Sequence, residues 1–134
     1  MKKPEISLRV PAMADYALVL RLALGGVAIL KDLDAGTLDD LRSASDEACD
    51  CLLHQAKEAV WLELNVYDAG DSLTVTITAE LAQEPADGAP CEDETELSRA
   101  VLETLIPVVR MHAADCGCVE RIDLTLPKAA AVGA

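Results

Sequence analysis

Between residues 60 and 79 the sequence keeps a two-residue period on both sides of a turn, and this pattern restricts the fold more than any other feature. Val60, Leu62, Leu64 and Val66 alternate with Trp61, Glu63, Asn65 and Tyr67. After Ala69-Gly70-Asp71-Ser72 the alternation resumes at Leu73, Val75, Ile77 and Ala79. Successive side chains of a strand point to opposite faces, so the segment reads as a hairpin with one buried face. Such a face needs an apolar layer over it, and the neighbouring segments supply helices. Ala14 to about Leu30 is apolar almost all round and too long for a strand; with Asp15 in its first turn it reads as a largely buried helix whose Gly25-Gly26 pair marks close packing or a weakened last turn. Thr37 is a good N-cap for a second helix running to about Lys57, with Leu38, Leu41, Ala44, Ala48 and Leu52 on its buried face.

The remaining elements follow from the same two periods. Ile6, Leu8 and Val10 alternate in a strand from Glu5 to Val10 that Pro11 ends. Residues 82–95, rich in Pro, Gly and acids, read as a surface loop able to attract a basic partner. A third helix is predicted from about Glu96 to His112, with Leu97, Val101, Leu105 and Val108 as its stripe and Pro107 as a kink. Ile122, Leu124 and Leu126 give a last strand, and 129–134 a frayed tail. This order predicts one α/β (α+β) domain over residues 1–128, a two-layer sandwich with a mixed, mostly antiparallel sheet and about three helices on one face.

Composition narrows the function classes. Eleven Lys and Arg against 24 Asp and Glu give a net charge of −13, while hydrophobic residues make up 51%. A chain of 134 residues with that apolar content builds a core, and its acidic surface repels phosphate backbones, so direct nucleic-acid binding is not expected and a basic protein is the better partner. Tyr16, Trp61 and Tyr67 are the only aromatics, too few for stacking platforms. The N-terminus lacks the apolar core of a secretory signal, and the 15-residue apolar run Tyr16–Leu30 carries Arg21 and falls short of a bilayer span. A cytoplasmic protein without a membrane segment is expected, with its five cysteines reduced. Cys49-Asp50-Cys51 and Cys116-Gly117-Cys118 invite a zinc site, yet two residues apart on a helix point about 200° apart, so buried thiols are the first reading and a thiol or zinc-binding module an alternative. His54 and His112 have no nucleophile pattern beside them.

The stretch DLRSASDEACDCLLHQA, residues 40–56, resembles the second helix of the anti-sigma-factor serine kinases, members of the histidine-kinase-like ATPases, where Asp-Leu, Ala and Glu-Ala-Cys lead to an Asn four residues after the Glu. SLRVPAMADYALVLRLAL looks like that family's first strand and helix, and the hairpin, acidic loop, third helix and closing LTLPK fall in its order. The resemblance implies the histidine-kinase-like ATPase fold, a homodimer, and a protein that silences a sigma factor or phosphorylates an antagonist. In the family motif the Glu is a general base and the Asn a Mg²⁺ ligand; here Glu47 stands at the first position and Cys51 at the second. A soft thiol is a poor ligand for that hard cation. By spacing, Glu47, Cys51 and His54 share one helical stripe, and Gln55 aligns with the family's His. The family's Asp-x-Gly-x-Gly box, whose Asp holds adenine, corresponds to Glu80-Leu81-Ala82-Gln83-Glu84, and its Gly-rich phosphate turn to CEDETELSRAV, with acids Glu92, Asp93 and Glu94. Arg21 matches the family's Arg in the first helix and is expected on a partner-docking or dimer surface.

Phosphoryl transfer depends on positioning and on neutralising phosphate charge, and these replacements remove the means of both. The expectation is an anti-sigma-like regulator acting on a sigma factor or its antagonist by protein binding, with a degenerate ATP site, no cofactor and no kinase activity. The alternative is an active serine/threonine kinase using ATP and Mg²⁺.

Overall fold

A computed structural model describes residues 3–55, 57–85 and 92–128; for 83–85 and 92–94 it describes the backbone alone. In chain order the elements are β1 (Ile6–Pro11), α1 (Ala14–Leu30), α2 (Ala35–Leu53), β2 (Lys57–Asp68), β3 (Ser72–Pro85), α3 (Glu92–Leu105), β4 (Val108–Ala113) and β5 (Val119–Pro127). The five strands form one sheet in the order β1-β2-β3-β5-β4, and every pairing is antiparallel, where a mixed, mostly antiparallel sheet was expected. The result is an α+β two-layer sandwich. Among the described residues no helix is long and apolar enough to cross a membrane.

Alternation divides the sheet into two chemically different faces. Leu62, Leu64, Val66, Leu73, Val75, Ile77, Ile122 and Leu124 are almost fully buried and face the helices, joined by Leu20, Leu24, Leu41, Leu52 and Leu102 from the helical layer. Burying a side chain of this size contributes about 1.5–3 kcal/mol, which makes this seam the main source of stability. The opposite face carries Thr74, Thr76, Thr78, Arg121 and Asp123. The expected hairpin is present from Leu62 onward, but a register irregularity between Ala59 and Trp61 places Ala59 inside and leaves Val60 47% exposed. A bulge inserts one residue and so reverses the alternation beyond it.

Helix boundaries also move: α2 ends at Leu53, short of the expected Lys57, which opens β2 instead, and α3 begins at Glu92 rather than near Glu96. The cap of α2 is Asp34, three residues before the expected Thr37: its Oδ1 accepts the Thr37 backbone N–H at 2.7 Å, which also holds the Asp34 carboxyl below its ordinary pKa. The third helix does not kink at Pro107; it stops at Leu105, and Val108–Ala113 forms β4 against β5. Proline restricts the residue before it and cannot donate to the helix, while Val108 and Val109 favour the extended chain that follows. The buried line of α3 is accordingly Ser98 and Leu102, continued by Ile106 just past its end, and Leu97 is 67% exposed. Part of the predicted 82–95 loop belongs to β3 and α3; residues 86–91 and the tail 129–134 lie outside the described residues.

A polar knot ties the start of β1, the end of α1 and the end of β2 together. Asp68 accepts Lys31 Nζ at 2.8 Å, Lys128 Nζ at 2.9 and 3.0 Å and the Gly70 N–H at 2.8 Å, and Lys31 also pairs with Glu5. Lys31 and Lys128 hold the Asp68 carboxyl far below the ordinary Asp value of 3.8, with Lys31 the larger cause. A carboxylate depressed in the folded state contributes stability that is complete above its unfolded pKa and is lost as the pH falls toward its folded one. Acid melts should therefore show wild type losing stability below about pH 4 faster than Asp68→Asn, which lacks this dependence. Parallel curves would show that Asp68 is not linked to folding.

Candidate functional site

The predicted stripe on α2 exists and faces α3. Leu41, Ala44, Ala48 and Leu52 turn into the core. The next line round the helix, Glu47, Cys51 and His54, lines a cleft of about 440 Å³ together with Asp50, Gln55, Thr95, Leu97 and Ser98. Spacings of four and three residues place these side chains above one another, which is why the sequence reveals this wall. The facing wall comes from α3. Ser98 Oγ donates to Glu47 Oε2 at 2.8 Å, closing the cleft across its middle.

The end of the cleft is fixed by Gln55. Its Nε2 donates to the Val119 carbonyl at 2.8 Å, and its Oε1 accepts the Val119 N–H at 2.6 Å. The side-chain amide thus imitates a strand residue and joins the end of α2 to the start of β5. His54, largely exposed, folds back on its own helix, with Nδ1 2.9 Å from the Asp50 carbonyl.

This lining offers little to a metal–triphosphate. The described wall contains Glu47 and Asp50 and no Lys or Arg, so it adds negative charge where phosphate requires neutralising. Mg²⁺ demands a nearly octahedral set of oxygens; Cys51 supplies sulfur and Glu47 is already engaged by Ser98, so the donor set does not fit that ion. Cys49, on the adjacent face, is 1% exposed, and burial pushes its thiol up to about 12, leaving it neutral and unreactive at ordinary pH. Among the described residues no group of three or more His, Cys, Asp or Glu could hold a metal ion.

Two residues singled out with Glu47 and Cys51 lie elsewhere. Glu80 is on the face of the sheet away from the helices, because its neighbour Ala79 points into the core. It pairs there with Arg9 at 3.5 Å, and the Arg9 guanidinium stacks 4.7 Å from the centre of the Trp61 ring. The sheet therefore separates Glu80 from Glu47, and the adenine-holding position expected at Glu80 is not part of this cleft. Arg21 lies on the seam between α1 and α2, its Nε 3.6 Å from Asp46 Oδ2. Its charge is met within the chain.

The outer sheet face carries a polar cluster that sequence reading left unassigned. Asp123 accepts Thr76 Oγ1 at 3.1 Å, lies 2.8 Å from His112 Nε2, and pairs with Arg121 at 3.2 Å. These residues are cross-strand neighbours through β3, β5 and β4. The Arg121–Asp123–Thr125 alternation signals half of the cluster, but His112 joins only because β4 is a strand.

Among the described residues, most of the exposed large apolar side chains belong to α1. Leu18 (55%), Leu22 (62%), Ile29 (73%) and Leu30 (65%) stand open to solvent with Met13, Tyr16 and Val19. Leu18, Val19, Leu22, Ile29 and Leu30 follow the three-to-four period of a second stripe, opposite buried Leu20, Leu24 and Val27. In the middle of that stripe is Gly26, exposed, with no atom within 4 Å of the place a Cβ would take. Contiguous exposed apolar patches mark contact surfaces.

Compared with known proteins, the chain matches no family model and no curated protein.

Proposed function

We propose that this chain is a homodimeric, anti-sigma-like regulator that works by protein binding, sequestering a sigma factor or its antagonist, with a vestigial nucleotide cleft in a histidine-kinase-like ATPase fold. The single observation that carries this reading is the run of exposed apolar side chains from Leu18 to Leu30 on α1, on a molecule charged at −13. A second copy fits that face. In an antiparallel pair about a two-fold axis beside residue 24, Leu22 of one copy meets the notch at Gly26 of the other, Leu18 meets Leu30, and Val19 meets Ile29. The open area is on the order of 700 Å² per copy, close to the roughly 800 Å² each partner gives to a standard interface. Outside that contact the acidic surface favours a basic partner.

Salt separates the two kinds of contact. Screening relieves repulsion between like-charged copies, so self-association should strengthen with ionic strength; attraction to a basic sigma factor or antagonist should weaken. Titrating purified sigma factors and antagonists from the same cell against the chain, in low and high salt, tests the second half. Absence of binding to all of them at low salt would sink it.

The cleft gives a separate expectation. Ligand at 100 times its dissociation constant stabilises by about 2.7 kcal/mol, a rise of several degrees in Tm for a domain of this size. Millimolar ATP with Mg²⁺ should leave the Tm unchanged, because two carboxylates and a thiol line the space. A clear Mg²⁺-dependent rise would move the assignment to a working kinase.

A further inference from the structure

The turn between β4 and β5 holds two cysteines that the reading of the cleft does not use. Backbone hydrogen bonds from Ala114 N to the Cys118 carbonyl (2.7 Å) and from Gly117 N to the Ala114 carbonyl (2.9 Å) close it tightly. Gly117 has φ +94°, a conformation that strains residues with a Cβ, and it lets the chain reverse between the two cysteines. The Cys118 backbone N–H reaches Cys116 Sγ at 3.5 Å. Cys116 is exposed, whereas Cys118 is 9% exposed, so a solvent-facing sulfur has a sheltered one beside it. Residues two apart in a tight turn have Cα atoms about 5–7 Å apart, within or near the 4.4–6.8 Å that a disulfide spans.

We propose that Cys116 and Cys118 form a thiol–disulfide exchange site whose oxidant is a small-molecule disulfide of the glutathione type. Cys116, as thiolate, attacks one sulfur of that disulfide; the S–S bond breaks and one small thiolate leaves and takes up a proton. Cys118 then attacks the Cys116 sulfur of the mixed disulfide, loses its proton to solvent and releases the second small thiol. Two protein thiols are oxidised to one disulfide, and one small disulfide is reduced to two thiols. The division of labour follows from exposure and from the local field. The Cys118 N–H, and after it the Cys118 thiol and the charge of Lys57, hold the Cys116 thiol below its ordinary pKa. Thiolates are the attacking species, and Cys49 and Cys51 are buried away from a disulfide in solution. The turn also adjoins the cleft: Val119, the residue after Cys118, is the one Gln55 grips.

Oxidised glutathione and peptide mapping by mass spectrometry test the proposal on the full chain. Wild type should lose two hydrogens, mapped to a Cys116–Cys118 bond; Cys118→Ser should stop at a glutathione adduct on Cys116; Cys116→Ser should give neither. Alkylation by iodoacetamide should be about tenfold or more faster at Cys116 than at Cys49. The same mapping in a Cys91→Ser background should give the same bond. An unmodified Cys116, an adduct spread evenly over the cysteines, or a bond from Cys116 to Cys49, Cys51 or Cys91 would overturn it.

Discussion

On the proposed α1 pairing, Leu22→Asp should turn the dimer into a monomer, weakening association by at least about 100-fold, or ~2.7 kcal/mol. Leu22 is 62% exposed in the single chain, so the substitution leaves the fold intact, and an unchanged circular dichroism melt is the control. In the antiparallel α1 pair, however, the new carboxylate enters the notch at Gly26 in both halves of the interface, where it loses water and gains no cation. Gly26→Leu fills the same notch from the other side and should weaken association as well. Sedimentation velocity across a concentration series reads both. A wild-type chain that stays monomeric at every concentration and salt refutes the second copy as the occupant of this face, as does a Leu22→Asp chain that dimerises normally.

Gln55→Leu should be the most damaging single change in the cleft for folding. It removes both hydrogen bonds to Val119 and leaves a backbone N–H and a carbonyl without those partners beside a residue only 2% exposed. Orphaning such groups costs about 1–3 kcal/mol each, so a total of about 2–6 kcal/mol is expected. At this chain length that lowers Tm by roughly 10 °C or more. Gln55→Glu keeps an acceptor for the Val119 N–H but sets a charge against the carbonyl, and should fall between the two. A drop of only one or two degrees for Gln55→Leu would mean that water replaces the amide and that the link between α2 and β5 is weak.

What the sequence revealed and what it hid divide along physical lines. The β2–β3 hairpin from Leu62 to Ala79 was legible because alternation is a local consequence of strand geometry. Val60 was misplaced because a bulge leaves no periodic trace. The merger of α3 and β4 into one helix arose from Leu97, Val101, Leu105 and Val108, whose spacing of four and three is helical by coincidence, while Pro107 marked the true break. Thr37 looked like a cap, yet Asp34 fills that role and Thr37 is the donor. In the cleft, Glu47, Cys51 and His54 were visible because one helix and its C-cap carry them all. Ser98 and the two-pronged grip of Gln55 on Val119 join residues 51 and 64 positions apart, and no local pattern encodes them. Glu80 falls outside the cleft for a related reason: a motif match fixes a position in the chain, and strand parity decides which side of the sheet it serves.

The pairing of β1 with β2 has a consequence for how the chain is made. Ile6 lies opposite Val66 and Val10 opposite Leu62, so β1 waits for some fifty to sixty residues before its neighbour among the described strands exists. During that interval α1 has left the ribosome with apolar side chains on both its inner and outer surfaces, while α2 can cover only part of them. The β2–β3 and β4–β5 hairpins close locally, but docking of the amino-terminal strand is a long-range event that completes the sheet late. The nascent protein is thus at its most adhesive before the hairpin emerges, and chaperone demand should be concentrated in that early window of translation.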